Sequence, residues 1–216
     1  MSERLTIALE TSPKKAFAEA LEWPGWARAG KTDELAIEAL IAYAPRYAPV
    51  ARAAGLHLPG SFDVDVVERL DGSSGTDFGV PSHPTEADAR PVDAAEAKRL
   101  ASIVDASWGT FDDVVAGAPA ELRKGPRGGG RDRDKMAGHV SGADWYYARE
   151  IGIKVKEPAW TDRSAIEALR AAVLEVLRRP SDGSPLAGRK WPARYAARRI
   201  AWHALDHAWE IEDRST

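Results

Sequence analysis

The chain has 216 residues, 44% of them hydrophobic and 29% charged, with a formal net charge of −3; this is the make-up of a folded globular protein with no global attraction to nucleic acid or anionic membrane. The absence of cysteine excludes disulfides, thiolate metal ligands and a protein thiol nucleophile. No run approaches the roughly 18 apolar residues of a membrane span, and the opening MSERLTIALETSPKK is charged early and lacks an apolar leader segment, so a cytoplasmic protein without membrane contact is expected.

From Arg4 to about Leu70 the pattern is short strands around one helix. RLTIALE and AFAEAL alternate in part, WPGW and AGKT are turn-rich, and SFDVDVVERL sets Phe62, Val64 and Val66 against Asp63 and Asp65. Thr32 can cap a helix with Asp33 and Glu34 in its first turn and Leu35, Leu40, Tyr43, Tyr47 and Val50 available for burial. Pro45 and Pro49 argue for a break in it, and Gly55 for its end. The expectation is a small antiparallel sheet with a helix on one face. Residues 71–93, rich in Gly, Ser, Pro and Asp, follow neither period and read as a connection.

Beyond it the strand signals stop. Helical periodicity predicts segments over about 94–117, 131–151, 163–179 and 191–213. Leu100, Ile103, Val104, Trp108, Phe111 and Val115 lie on one face of the first, and Ile166, Leu169, Val173, Leu174, Val176 and Leu177 on one face of the third. Pro192 stands at the start of the last, where its missing N–H costs nothing. Helices of this length are marginal alone, so a four-helix bundle is expected. The first 90 residues hold 9 basic against 14 acidic side chains and the remainder 21 against 19, so the helical half is slightly basic.

The last segment contains AWHALDHAWEIEDR. His203 and His207, four apart, share a helix face with Cβ atoms about 5 to 6 Å apart, a spacing at which two imidazoles can hold one ion. The other histidine within a helical segment is His139, near the middle of the second and flanked by Gly138 and Gly142, which would let a neighbour or ligand approach. Three neutral imidazoles from two helices would leave coordination positions open for water or substrate, the pattern of a catalytic site. Zinc is the default ion, and nickel, iron and manganese suit the same donors. The alternative is that these are ordinary packing histidines. Glu210, three after His207, is placed to orient that imidazole or to act as a base; Arg199, four before His203, to neutralise Glu210 or bind an anionic substrate. Asp144 and Tyr146 are further candidates.

A four-helix region with one histidine in its second helix and HALDH in its fourth resembles the DinB-like, or YfiT-like, superfamily of metal-binding bundles over about residues 92–216. The resemblance implies His139, His203 and His207 as the metal triad, and transfer of a low-molecular-weight thiol, or isomerisation assisted by one, as the activity, with hydrolysis by metal-activated water close behind. AFAEALEWPGWARAGKTDELAIEAL resembles the corresponding stretch of HicB-like antitoxin domains over roughly residues 4–70, which implies a small α/β fold; no DNA-binding segment stands beside it.

LRKGPRGGGRDRDK places Arg123, Lys124, Arg127, Arg131, Arg133 and Lys135 around a glycine cluster just ahead of the helix carrying His139. Arg127, Gly128, Gly129 and Arg131 are the candidate anion grip, although the Gly-Lys-Ser/Thr ending of a phosphate loop is absent. Arg131 lies eight helical steps, about 12 Å, from His139, so the segment can rim the same pocket. The alternative is a solvated loop. GRKWPARYAARR adds Arg189, Lys190, Arg194, Arg198 and Arg199; pairing of Arg198 and Arg199 with helix carboxylates is a better reading than nucleic-acid contact, and Tyr195, Trp202 and Trp209 recur every seven residues as core packing does.

The sequence patterns and these resemblances together imply an α+β protein with a small HicB-like α/β domain over 1–85 and a DinB-like four-helix bundle over 90–216, a divalent-metal protein acting on a small molecule either as a transferase or isomerase with a thiol cosubstrate or as a hydrolase. The rival is a non-catalytic regulatory module in which the N-terminal half recognises a protein and the helices form a homodimer. Metal content separates the two.

Overall fold

The computed structural model describes residues 2–125 and 129–215 and is a mixed α+β fold. Strands β1 (Glu3–Thr11), β2 (Ala16–Ala20), β3 (Ala27–Gly30) and β4 (Phe62–Asp71) form one sheet in the order β3-β2-β1-β4. The first three pair antiparallel as expected, but β4 runs parallel to β1. The cause lies in the connection: helices α1 (Asp33–Ala42) and α2 (Ala44–Ala53) carry the chain back before β4 begins, and such a crossover delivers a strand parallel to its neighbour. A bulge at Val67 interrupts the β1–β4 register, so the alternation of Phe62, Val64 and Val66 resumes one residue late.

Thr32 caps α1 by accepting from Leu35 N at 3.3 Å, and the helix breaks at Tyr43, leaving Pro45 in the first turn of α2, where no intrahelical donor is needed. Leu5, Ile7, Leu9, Ala16 and Ala18 pack with Leu40, Tyr47 and Val50 in one core. The WPGW turn is pinned into it: Trp26 donates its indole N–H to Leu40 O at 2.8 Å and stacks on Tyr47, whose hydroxyl donates to Pro24 O at 2.8 Å. Leu205 and Trp209 from the far end of the chain complete this core.

The helical half comprises α4 (Ala94–Gly117), α5 (Arg133–Glu150), α6 (Arg163–Leu177) and α7 (Ala193–Arg214). Each packs on two others, α4 and α5 both lying against α6 and α7, around a core that includes Leu100, Val104, Trp108, Leu169, Val173 and Ile200. Asp93 and Asp162 cap α4 and α6 by accepting from backbone N–H groups at 2.8 and 3.0 Å. Ala196, Ala197, Ala201, Ala204 and Ala208 keep α7 slender enough to sit inside the protein, buried along most of its length.

Residues 71–93 are more than a connection. They contain α3 (Ser74–Phe78), with a capping box between Ser73 and Thr76, and a 3-10 turn at Glu86–Ala89. The fully buried Glu10 of β1 gathers the segment by accepting from the Thr76 hydroxyl and from the backbone N–H groups of Ser82 at 2.9 Å and His83 at 3.0 Å. Behind it, Arg198 of α7 forks onto Asp88 at 3.0 and 2.5 Å and reaches Glu19 of β2 at 2.5 Å, all three buried. The sequence favoured helix carboxylates for Arg198; its partners lie on a strand and a 3-10 turn, brought close by tertiary folding.

Candidate metal centre

Helices α5 and α7 bring His139, His203 and His207 together. The ring centroids of His203 and His207 are 4.6 Å apart, as the one-turn spacing dictates, and His139 sits 4.9 Å from each. His139 Nε2 and His203 Nε2 are 3.2 Å apart, and one nitrogen from each ring lies within 4.8 Å of the other two. Metal–nitrogen bonds of about 2.0–2.1 Å in a tetrahedral array place donors about 3.3 Å apart, so one edge is already at chelating length and the others exceed it by at most about 1.5 Å.

Electrostatics favour the ligating form. Burial, with smaller contributions from His207 and Arg131, pushes His139 down to about 4, while burial and the two neighbouring imidazoles hold His203 well below the ordinary histidine range. Both are therefore unprotonated near neutral pH, as metal binding requires. The buried Nδ1 of His203 has no hydrogen-bond partner among the described residues. Its Nε2 meets only another imidazole nitrogen, leaving a polar group poorly satisfied unless the cluster shares a cation. The donor set and its surroundings fit a divalent ion.

Glu210 shows how His207 is held: its Oε2 lies 3.0 Å from His207 Nδ1, and its Oε1 accepts from Arg214 at 2.7 Å. The His207 hydrogen bond, helped by Arg214, keeps the Glu210 carboxyl below its ordinary range. With both oxygens engaged, Glu210 orients the imidazole and is poorly placed as a base; the cation neutralising it is Arg214, not Arg199. Asp144 points elsewhere, into the interior between α4, α5 and α6, where its nearest cation is Arg170 at 3.5 Å; burial raises it to about 6.

The triad opens into a pocket of about 850 Å³. Tyr146, Arg131 and Arg199 line it as well, whereas Gly129 stands in open space and Arg127 and Gly128 lie outside the described residues. Much of the basic segment's charge is spent locally: Lys124 pairs with Asp132, and Arg133 with Asp134 at 2.8 Å. Arg131 lies just ahead of α5, two residues before the helix begins. Gly138 and Gly142 face the Trp160 ring and Glu157 Oε1, but a Cβ at either would meet them at 3.4 Å, an ordinary contact distance, so crowding does not require a glycine at these positions.

Several wall residues escaped the sequence reading. Phe78, Gly79 and Val80 come from the supposed connection, and an aromatic amid Gly and Ser was the signal for them. Asp206, inside HALDH itself, pairs with Arg28 of β3 at 2.9 Å, while burial raises its carboxyl against that pull. Trp202 both lines the pocket and meets Phe17 edge-on at 6.3 Å.

Fold and site together define a mixed α+β protein with a histidine cluster at the floor of a polar and aromatic pocket; among the described residues no helix is long and apolar enough to cross a membrane. No family model, curated protein or solved structure matches the chain.

Proposed function

We propose that this chain is a cytoplasmic, divalent-metal-dependent enzyme acting on a small molecule, its helical half a DinB-like bundle that holds one ion through His139, His203 and His207. The observation that carries this is the convergence of three imidazoles from two helices within 4.8 Å, two of them held unprotonated. Zinc is the first choice, with nickel, iron and manganese as alternatives for the same donors. Such an ion supplies Lewis acidity, which brings a coordinated water or thiol to ionise near neutral pH. Since the chain has no cysteine, a thiol nucleophile has to arrive as a cosubstrate, and thiol transfer or isomerisation stands ahead of hydrolysis.

The chain's own contributions are positional. Glu210 fixes the His207 ring through its Nδ1 side. Tyr147, 5.6 Å from His203 between ring centroids, shields that imidazole from solvent, as does Trp202. The test is metal content of the full chain, stripped and then reconstituted with zinc, nickel or manganese. One ion per chain, raising the melting temperature and lost in both His203→Ala and the more exposed His139→Ala, supports the proposal. Absence of stoichiometric binding, or binding unchanged in these variants, overturns it.

A further inference from the structure

Helix α7 carries four arginines, and three are neutralised: Arg194 by Glu96 at 2.5 Å, Arg198 by Asp88 and Glu19, and Arg214 by Glu210. Arg199 has no carboxylate partner among the described residues, although it is only half-exposed and faces the pocket. It is nonetheless fixed: its guanidinium lies 4.8 Å from the Trp202 ring and 5.5 Å from the Tyr147 ring, and one terminal N–H donates to Pro81 O at 2.8 Å. A partly buried, immobilised cation with no carboxylate partner among the described residues keeps guanidinium N–H groups free for an anion. The buried indole N–H of Trp202 beside it also has no acceptor among the described residues. Arg131, also on the pocket wall, makes no ion pair among the described residues either.

The wall's acids do not fill this gap. Asp206 is held by Arg28 and Glu210 by Arg214 and His207, while Glu157 lies beside Gly142 on α5. Aromatic surface from Trp145, Tyr146, Tyr147 and Phe78 makes up much of the remaining wall. The volume suits a molecule of small-metabolite size.

We infer that the pocket binds a small carboxylate carried on an apolar or aromatic frame, with the carboxylate on the free edge of Arg199 and the rest of the molecule extending towards the histidines. A planar guanidinium held between two rings presents its remaining N–H groups in the fork that a planar carboxylate matches. The inference rests on the metal proposal only for which end of the ligand reacts.

Benzoate and its neutral isostere benzamide test it by titration calorimetry on the full chain, metal-free and zinc-loaded. Benzoate is expected to bind at least about 10-fold more tightly than benzamide, the discrimination of a charge-assisted contact. Arg199→Gln should abolish that preference with zinc content unchanged, and Arg199→Lys should restore part of it. Equal binding of the two probes, wild-type benzoate affinity in Arg199→Gln, or tighter binding of inorganic phosphate than of benzoate overturns the assignment. Loss of the preference in Arg199→Gln in a chain that takes up no metal sinks the metal proposal and leaves this one standing; normal zinc uptake with no effect of Arg199→Gln does the reverse.

Discussion

Replacing Glu210 by Ala removes the group that sets which nitrogen of His207 faces the cluster. In the structure the carboxylate approaches His207 Nδ1 at 3.0 Å, so the proton sits on that side and the Nε2 lone pair is free for an ion. Without it, the neutral ring redistributes its proton between the two nitrogens and gains rotational freedom. Loss of such a partner typically costs 10- to 100-fold in metal affinity, about 1.4 to 2.7 kcal/mol. The carboxylate also carries half of a pair with Arg214 at 2.7 Å, so Glu210→Gln, which keeps an acceptor but not the charge, separates orientation from electrostatics. Competition against a chromophoric chelator at fixed pH measures both variants. The order expected is wild type tightest, Gln intermediate and Ala weakest. Zinc affinity unchanged in Glu210→Ala would refute the idea that this carboxylate orients a ligand.

Two further substitutions probe buried charge. Burial raises Asp144 from 3.8 to about 6 against the pull of Arg170, so the folded state favours its protonated form; that stability is full below about pH 4 and is lost as pH rises through 6. The stability difference between Asp144→Asn and wild type should therefore move by about 3 kcal/mol in the variant's favour between pH 4 and pH 7, read from urea unfolding, and a pH-independent difference would count against it. Arg198→Met strands Glu19 and Asp88 in the interior and should destabilise by about 3 to 5 kcal/mol in the same assay, whereas a loss below about 1 kcal/mol would mean water reaches the carboxylates.

Local physics made much of this legible. The four long helices were readable from periodicity to within two residues at every end, because each buries an apolar stripe and follows an Asp or, for the last, a Pro. The histidine spacing on α7 was equally visible, since four residues make one turn. The parallel placement of β4 was not, because its alternation is the same for either direction and only the crossover through α1 and α2 decides it. Nor were the partners of Arg198, which stand 110 and 179 positions away along the chain. The pocket wall at Phe78–Val80 was hidden for a similar reason: its position depends on Glu10 collecting backbone donors from residues 82 and 83, a long-range contact without local periodicity.

Helix α7 explains why an N-terminal sheet bears on a histidine cluster made entirely by helices. One side of α7 is its alanine stripe, packed on α4; a second sends Leu205 and Trp209 into the core beneath α1 and α2; a third gives Arg198 and Trp202 to Glu19 and Phe17 of β2. His203 and His207 occupy the side that remains. Arg28 of β3 ties the same helix again, pairing with Asp206 between the two histidines while lying 4.0 Å over the Tyr43 ring. The direction in which the imidazoles point is therefore set from both halves of the protein at once. A change in the sheet acts on the cluster through the rotation of α7 about its own axis, which at about 100° per residue moves a ring out of reach of His139 with a turn far smaller than one residue.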